Sequence, residues 1–199
     1  MAQRVIVIGG TGLIGSNIVA AMQDRYDVVP VSRKSTPPMD MTDLASIESF
    51  FDNTDPFDHV VIAAGDAAFA PLNKLGHEQL MVGVRSKLLG QLDAALTALR
   101  RLSDKGSITL TSGVLADKPI PGTAAVAFVN GAVNSFARAA ALEMTGGRRI
   151  NAVSPGWIKE TMERMGMDSS SGMTAKDVAQ MYLQSVEGDA NGAVIQPTD

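Results

Sequence analysis

Short apolar runs alternate along this chain with stretches in which apolar residues recur every three to four positions. Val5-Ile6-Val7-Ile8 carries four β-branched residues and no polar alternation, the pattern of a short strand covered on both faces. Leu13, Ile14, Ile18, Val19 and Met22 follow it at helical spacing. Further strands are predicted at 27–31, 58–65, 106–112, 149–153 and 193–195. Helices are predicted at 43–52, capped by Thr42, and at about 76–102 on Leu80, Val84, Leu88, Leu92, Leu96 and Leu99. A second long helix, rich in alanine, is predicted at 123–145 and ended by Gly146-Gly147. The last runs from a Thr174 cap to Val186. Residues 36–42, with two prolines, read as a loop or short edge strand. The polar, Met- and Ser-rich stretch 159–173 is expected to be mobile.

Strands alternating with helices and joined by right-handed crossovers give an α/β domain. Its sheet is mostly parallel, of about seven strands, with helices on both faces. Neither an internal repeat nor a linker divides residues 1–199. Ligands in such sheets bind outside the carboxyl ends of the strands. Here those ends carry residues 9–15, Ser32-Arg33, Ala63-Ala64-Gly65, Ser112 and Pro155-Gly156.

Composition narrows the chemistry. The 199 residues are 45% hydrophobic and 19% charged, with net charge -4 and pI near 5.2. An acidic chain gives no support for a nucleic-acid partner. Without cysteine there is no disulfide, thiol catalyst or cysteine-based zinc site, and two histidines leave little for a metal centre. Apolar runs stay short of the ~20 residues that span a membrane, and a strand opens the chain, so a cytoplasmic protein is expected. His59 opens a buried strand and reads as structural; His77 begins a helix and is expected to face solvent.

The most specific stretch is Gly9-Gly10-Thr11-Gly12-Leu13-Ile14-Gly15, between the first strand and the first helix. One glycine permits the tight turn, a second lets a pyrophosphate approach the backbone, and a third lets helix and strand pack closely. The helix N-terminus then offers free N–H groups and a positive dipole end to phosphates. After the second strand, Ser32-Arg33-Lys34-Ser35 holds cations where an NAD site would hold an acid. That favours the 2′-phosphate of NADP(H) over NAD(H).

In their order and intervals these motifs resemble the short-chain dehydrogenase/reductase family along nearly the whole chain, which implies a single Rossmann-fold NAD(P)-binding domain. The turn Gly9-x-x-Gly12-x-x-Gly15 looks like the family's first motif in the form common in its extended branch. Asp40, with Met41 beside it, matches the acid that hydrogen-bonds the adenine. Ala63-Ala64-Gly65 matches the segment Asn-Asn-Ala-Gly along the cofactor, with both asparagines missing. Ser112 matches the catalytic serine. Ala132-Val133-Asn134-Ser135-Phe136 resembles the stretch after the catalytic lysine. Residues 151–158, ending in Pro155-Gly156-Trp157-Ile158, are similar to the Pro-Gly segment beside the nicotinamide.

The departures lie at the chemistry. Counting from Ala132-Val133, the resemblance puts Val126 at the family's tyrosine and Asn130 at its lysine; the only tyrosines are Tyr26 and Tyr182. Gly90 puts Lys87 at the family's helix asparagine, and Glu160 stands where a threonine follows Pro-Gly, with Thr161 next. Reduction of a carbonyl needs a proton source near the developing alkoxide. Ser112 alone is a weak acid. Lys87 supplies charge, a proton, or a hold on the ribose, and Asn130 reaches the ribose or Ser112. These residues point to an NADP(H)-dependent oxidoreductase with an unusual proton donor and a small carbonyl or alcohol substrate. A cofactor-binding sensor or regulatory protein without turnover is the alternative, and an isomerase or lyase that keeps the nucleotide pocket is a third. In the resembled family the two long helices pair across a two-fold axis, which implies a homodimer or homotetramer.

Overall fold

The computed structural model describes residues 2–197. Six strands form one parallel sheet: β1 (Arg4–Ile8), β2 (Asp27–Val31), β3 (Phe57–Ile62), β4 (Leu102–Thr111), β5 (Arg149–Val153) and β6 (Val194–Ile195), in the order β2-β1-β3-β4-β5-β6. Residues 36–42 are loop, so the optional edge strand there does not form.

The period-2 pleat divides β1 between two cores. Val5 and Val7 pack with Ile18 and Met22 of α1 (Leu13–Met22) and with Val178 and Tyr182 of a C-terminal helix. Ile6 and Ile8 pack on the other face with Phe50 and Phe51 of α2 (Leu44–Asp52) and with buried residues of two long helices. Burial on both faces is why β1 and β3 read as continuous apolar runs. Asp43 caps α2, its carboxylate accepting from the Ala45 N–H at 3.0 Å; Thr42 instead donates to Asp40.

The helix predicted over 76–102 is three pieces: α3 (His77–Gly83), a π-helical turn Val84–Leu89, and α4 (Gly90–Leu99). The Gly90 N–H reaches back five residues to the Arg85 carbonyl. Gly83 packs closely on Val129, where a Cβ would lie 3.1 Å from a valine methyl, and Gly90 packs on the Met41 carbonyl at a distance that leaves no room for a side chain. The predicted Leu stripe is only half buried, because Ala94, Ala95 and Ala98 make the close approach to the sheet and Leu96 stays exposed.

β4 begins four residues earlier than predicted, at Leu102. Lys105 there adopts φ 63°, and the register against β3 shifts between Phe57 and His59. α5 (Ala124–Ala141) is shorter than expected at both ends. Within residues 159–173, α6 (Lys159–Arg164) forms, and its start is held by Lys159 N–H to Met173 O and Met173 N–H to Trp157 O, both 2.8 Å. α7 (Ala175–Glu187) starts at the Thr174 cap as expected. Among the described residues no helix is long and apolar enough to cross a membrane.

β1 is flanked by β2 on one side and β3 on the other, so the chain reverses direction across the sheet there. That switch point opens a crevice outside the strands' carboxyl ends.

Candidate active site

The crevice is a cavity of about 740 Å³ running along the carboxyl ends of the sheet. Its first wall is the turn after β1. Gly9 has φ +84°, and a Cβ there would lie 2.6 Å from the Ala63 carbonyl oxygen. A Cβ on Gly15 would lie 2.0 Å from the Gly9 carbonyl oxygen, so the turn closes on α1 only with glycine at both places. The Gly12 side of α1 has no side-chain cap, and Gly12, Leu13 and Ile14 line the cavity. The first-turn amides of α1 therefore lack a side-chain acceptor where an anion would sit.

Most residues expected at the site line this one space: Gly9, Thr11, Gly12, Leu13, Ile14, Ser32, Arg33, Asp40, Met41, Ala63, Ala64, Gly65, Lys87, Ser112, Asn130, Pro155, Gly156, Trp157 and Ile158. Two expected residues do not. Gly15 is buried behind the turn, where it shapes the turn rather than touching a ligand, and Lys34 is exposed outside the cavity lining. The Asp40 carboxylate accepts from the Thr42 N–H at 2.9 Å and the Thr42 hydroxyl at 2.8 Å, which holds its pKa below the usual value.

At the far wall, Lys87 of the π-helical turn sends its Nζ into the cavity and donates to the Ser112 carbonyl at 2.9 Å. None of the ion pairs among the described residues includes it. Desolvation pushes its pKa down to about 8. The Ser112 hydroxyl donates across to the Asn130 carbonyl at 3.1 Å, so its one proton is already committed. Asn130 Oδ1 is buried without a donor, and its Nδ2 reaches Gly113 O only at 3.4 Å. Val126, one turn earlier on α5, presents an apolar side chain to the same wall.

Sequence reasoning missed what holds that wall. Gln91 of α4 grips the Thr111 peptide twice, Nε2 donating to Thr111 O at 2.8 Å and Oε1 accepting from Thr111 N at 2.7 Å. The Thr111 hydroxyl donates to the Ile62 carbonyl and pairs with the Tyr182 hydroxyl at 2.6 Å. Tyr182 is wholly buried and its pKa is driven up by burial, which makes it a structural tie. His59 lies away from the cavity. Its Nδ1 pairs with the Ser107 hydroxyl at 2.8 Å, and burial pushes its pKa down to about 4. Further lining residues, including Asp66, Phe69, Thr161 and Arg164, come from loops and α6, whose fold the sequence pattern left open.

A family model described as enoyl-(acyl carrier protein) reductase matches residues 13–193. The short-chain dehydrogenase/reductase ATR9 of Stachybotrys chlorohalonatus is 34% identical over 135 residues, 67% of this chain and 51% of that protein. The chain thus spans about half the length of the curated relatives it matches. The crystal structure of the protein lin1944 from Listeria innocua superposes with a TM-score of 0.94 at 34% identity, covering 99% of this chain and all of that one. A small-chain dehydrogenase crystallised in complex with NADPH superposes at 0.89 with 27% identity, covering 99% and 97% of the two chains.

Proposed function

Because the chain belongs to the short-chain dehydrogenase/reductase family, we propose that it is an NADP(H)-dependent oxidoreductase interconverting a small carbonyl compound and its alcohol. The observation that carries this reading is the single cavity joining the glycine turn and Arg33 to an enclosed lysine ammonium. The residues fit a dinucleotide. Uncapped amides at Gly12, Leu13 and Ile14 suit the diphosphate, Arg33 with Ser32 suits a 2′-phosphate, and the unpartnered Asn130 Oδ1 suits a ribose hydroxyl. The nicotinamide, when bound, supplies or accepts the hydride.

The chain's own part is the proton. On this assignment Val126 and Asn130 occupy the places of the family's usual tyrosine and lysine, and Lys87 takes over as donor to the substrate oxygen. One of its three N–H groups is spent on Ser112 O, which leaves two for the cavity. The Ser112 carbonyl holds the ammonium in place, and Gln91 clamps the residue before it, Thr111. An ammonium with a pKa near 8 is charged at neutral pH and gives up its proton far more readily than an exposed lysine.

The experiment is NADPH titration followed by NADPH oxidation against a panel of carbonyl compounds, with Lys87→Met alongside. Turnover that survives Lys87→Met rejects the lysine's role. The apolar Val126 at the reacting wall favours one second reading, a nucleotide-binding sensor; tight NADPH binding with no turnover of any carbonyl selects it. The two long helices are proposed as the subunit interface of a homodimer or homotetramer. Val82, Leu89 and Leu96 lie exposed at seven-residue intervals, with Phe128 exposed on α5. A monomer by light scattering at micromolar concentration refutes that interface.

A further inference from the structure

The cavity has a cation at each end. Arg33 follows β2 and Arg164 ends α6, which follows β5. The two strands stand four spacings apart in the sheet, roughly 19 Å at ~4.8 Å each. Arg164 therefore belongs to the end that holds Ser112, Lys87 and Trp157, not to the end assigned to the 2′-phosphate.

Arg164 is exposed, on a helix whose base is held, and no carboxylate among the described residues pairs with it. α6 is fixed at its base by the hydrogen bonds between 157, 159 and 173, and Gly172 packs against the Lys159 backbone so closely that a Cβ would lie 2.8 Å from Lys159 Cα. Thr161 and Arg164, three residues apart on one helix face, both line the cavity. The carboxylates on α6 are engaged elsewhere. Glu160 accepts from the Ala175 N–H at 3.0 Å, and Glu163 accepts from the Ser169 hydroxyl at 3.2 Å. The guanidinium makes one hydrogen bond, Nε to the Glu160 carbonyl at 3.3 Å, which leaves both terminal nitrogens open. No ion pair among the described residues includes it. Of the acids lining the cavity, Asp40 is tied to Thr42 and Asp66 follows β3, two strand spacings from β5.

The cavity that Arg164 lines also carries apolar groups. The rings of Phe69 and Trp157 lie 6.0 Å apart, tilted by 33°, and Val114, Leu115 and Val126 line the same space.

We propose that the substrate is a flat apolar carbonyl compound ending in a carboxylate, with Arg164 binding the carboxylate while the carbonyl faces Lys87 and Ser112. The proposal rests on the reacting end assigned above. A planar guanidinium with two open nitrogens takes a carboxylate through two parallel hydrogen bonds, which a neutral amide cannot reproduce.

Trp157 is the only tryptophan in the sequence and sits in this wall, so its fluorescence reports binding without turnover. 4-Acetylbenzoate and 4-acetylbenzamide are titrated into the unmodified protein, with and without NADP⁺. The acid is expected to bind about tenfold or more tightly than the amide. Arg164→Ala is expected to abolish that preference and Arg164→Lys to keep part of it. NADP⁺ affinity, measured in the same titrations, is expected to stay unchanged in Arg164→Ala. Equal binding of acid and amide, or no response to either, overturns the proposal. So does an Arg164→Ala protein that loses NADP⁺ affinity but keeps the acid preference, since Arg164 then serves the cofactor. Failure of NADP⁺ to bind at all rejects the oxidoreductase reading instead, and the acid preference is scored separately.

Discussion

The two ends of the cavity are built from different materials. At the β1–α1 turn, position is set by backbone alone: glycines at 9 and 15 let the chain approach itself, and the ligand-facing groups are main-chain amides. At the end of β4, position is set by side chains. Gln91 and Tyr182 fix Thr111 through buried hydrogen bonds, and Lys87 bonds the carbonyl of the next residue, Ser112. A backbone device tolerates no added atom. A side-chain device tolerates substitution in volume but not the loss of a partner, because a stranded buried polar group costs its full desolvation.

Substitutions that strike one end at a time test this contrast. The largest effect is expected at the turn. Gly15→Ala forces a methyl against the Gly9 carbonyl and should destabilise the fold by about 3 kcal/mol, the upper range for overpacking. Gly12→Ala, whose nearest contact is 3.3 Å, should leave stability nearly intact and weaken nucleotide binding instead. Urea denaturation with NADPH titration separates the two; equal stability losses would remove the distinction.

Next in size is Lys87→Met, which should lower kcat by about 10² or more while leaving the fold intact. Its pH dependence has a definite sign. Carbonyl reduction needs the protonated ammonium, so kcat should fall as pH rises through about 8. Lys87→Arg stays charged and should flatten that limb, at a lower rate. The native pKa lies below the unfolded value, so between about 8 and 10.5 the unfolded chain binds more protons and stability rises with pH. Lys87→Met should erase that slope in pH-dependent melting.

Gln91→Leu is expected to cost about 2 kcal/mol by stranding the Thr111 N–H and carbonyl. Because the clamp fixes Thr111, the residue before the Ser112 carbonyl that holds Lys87, kcat should fall while KM for NADPH stays constant. A parallel loss of nucleotide affinity would show that the two ends are not separable. The smallest effect is at the rim: Arg33→Ala should cost roughly tenfold in NADPH affinity and little in NADH affinity. Equal losses for both nucleotides would contradict the assignment of Arg33 to the 2′-phosphate.

The same contrast explains what was legible in the sequence. Backbone devices demand particular residue types at fixed local spacing, so the glycine turn, the strand ends and the Thr174 cap stand out along the chain. Lys87 was placed at the site because a helical asparagine position can be counted from Gly90. Gln91 gave no signal, since a helix glutamine is ordinary until Thr111, twenty residues away, is seen beside it. The Ser112 hydroxyl was expected to face the substrate, but its proton goes to Asn130 O, a partner set by how α5 packs. The helix at 159–164 gave no signal because Met, Ser and Gly lack helical periodicity. The pairing of Ile158 with Met173 closes the segment, and no local pattern encodes it.

The wide turn at Val84–Leu89 has a consequence for how this wall can change. A π-turn holds one residue more per hydrogen-bonded ring than an α-turn, so it is where a helix absorbs a single inserted residue without shifting the segments on either side. Deleting one residue among 84–86 would let the ladder relax to ordinary α-helix while α3 and α4 keep their relation to one another. Gly83 would stay on Val129, and Lys87 and Gln91, both after the deletion, would keep their faces towards β4. The wide turn thus acts as a length adjuster, absorbing changes in the α3 approach without displacing the lysine.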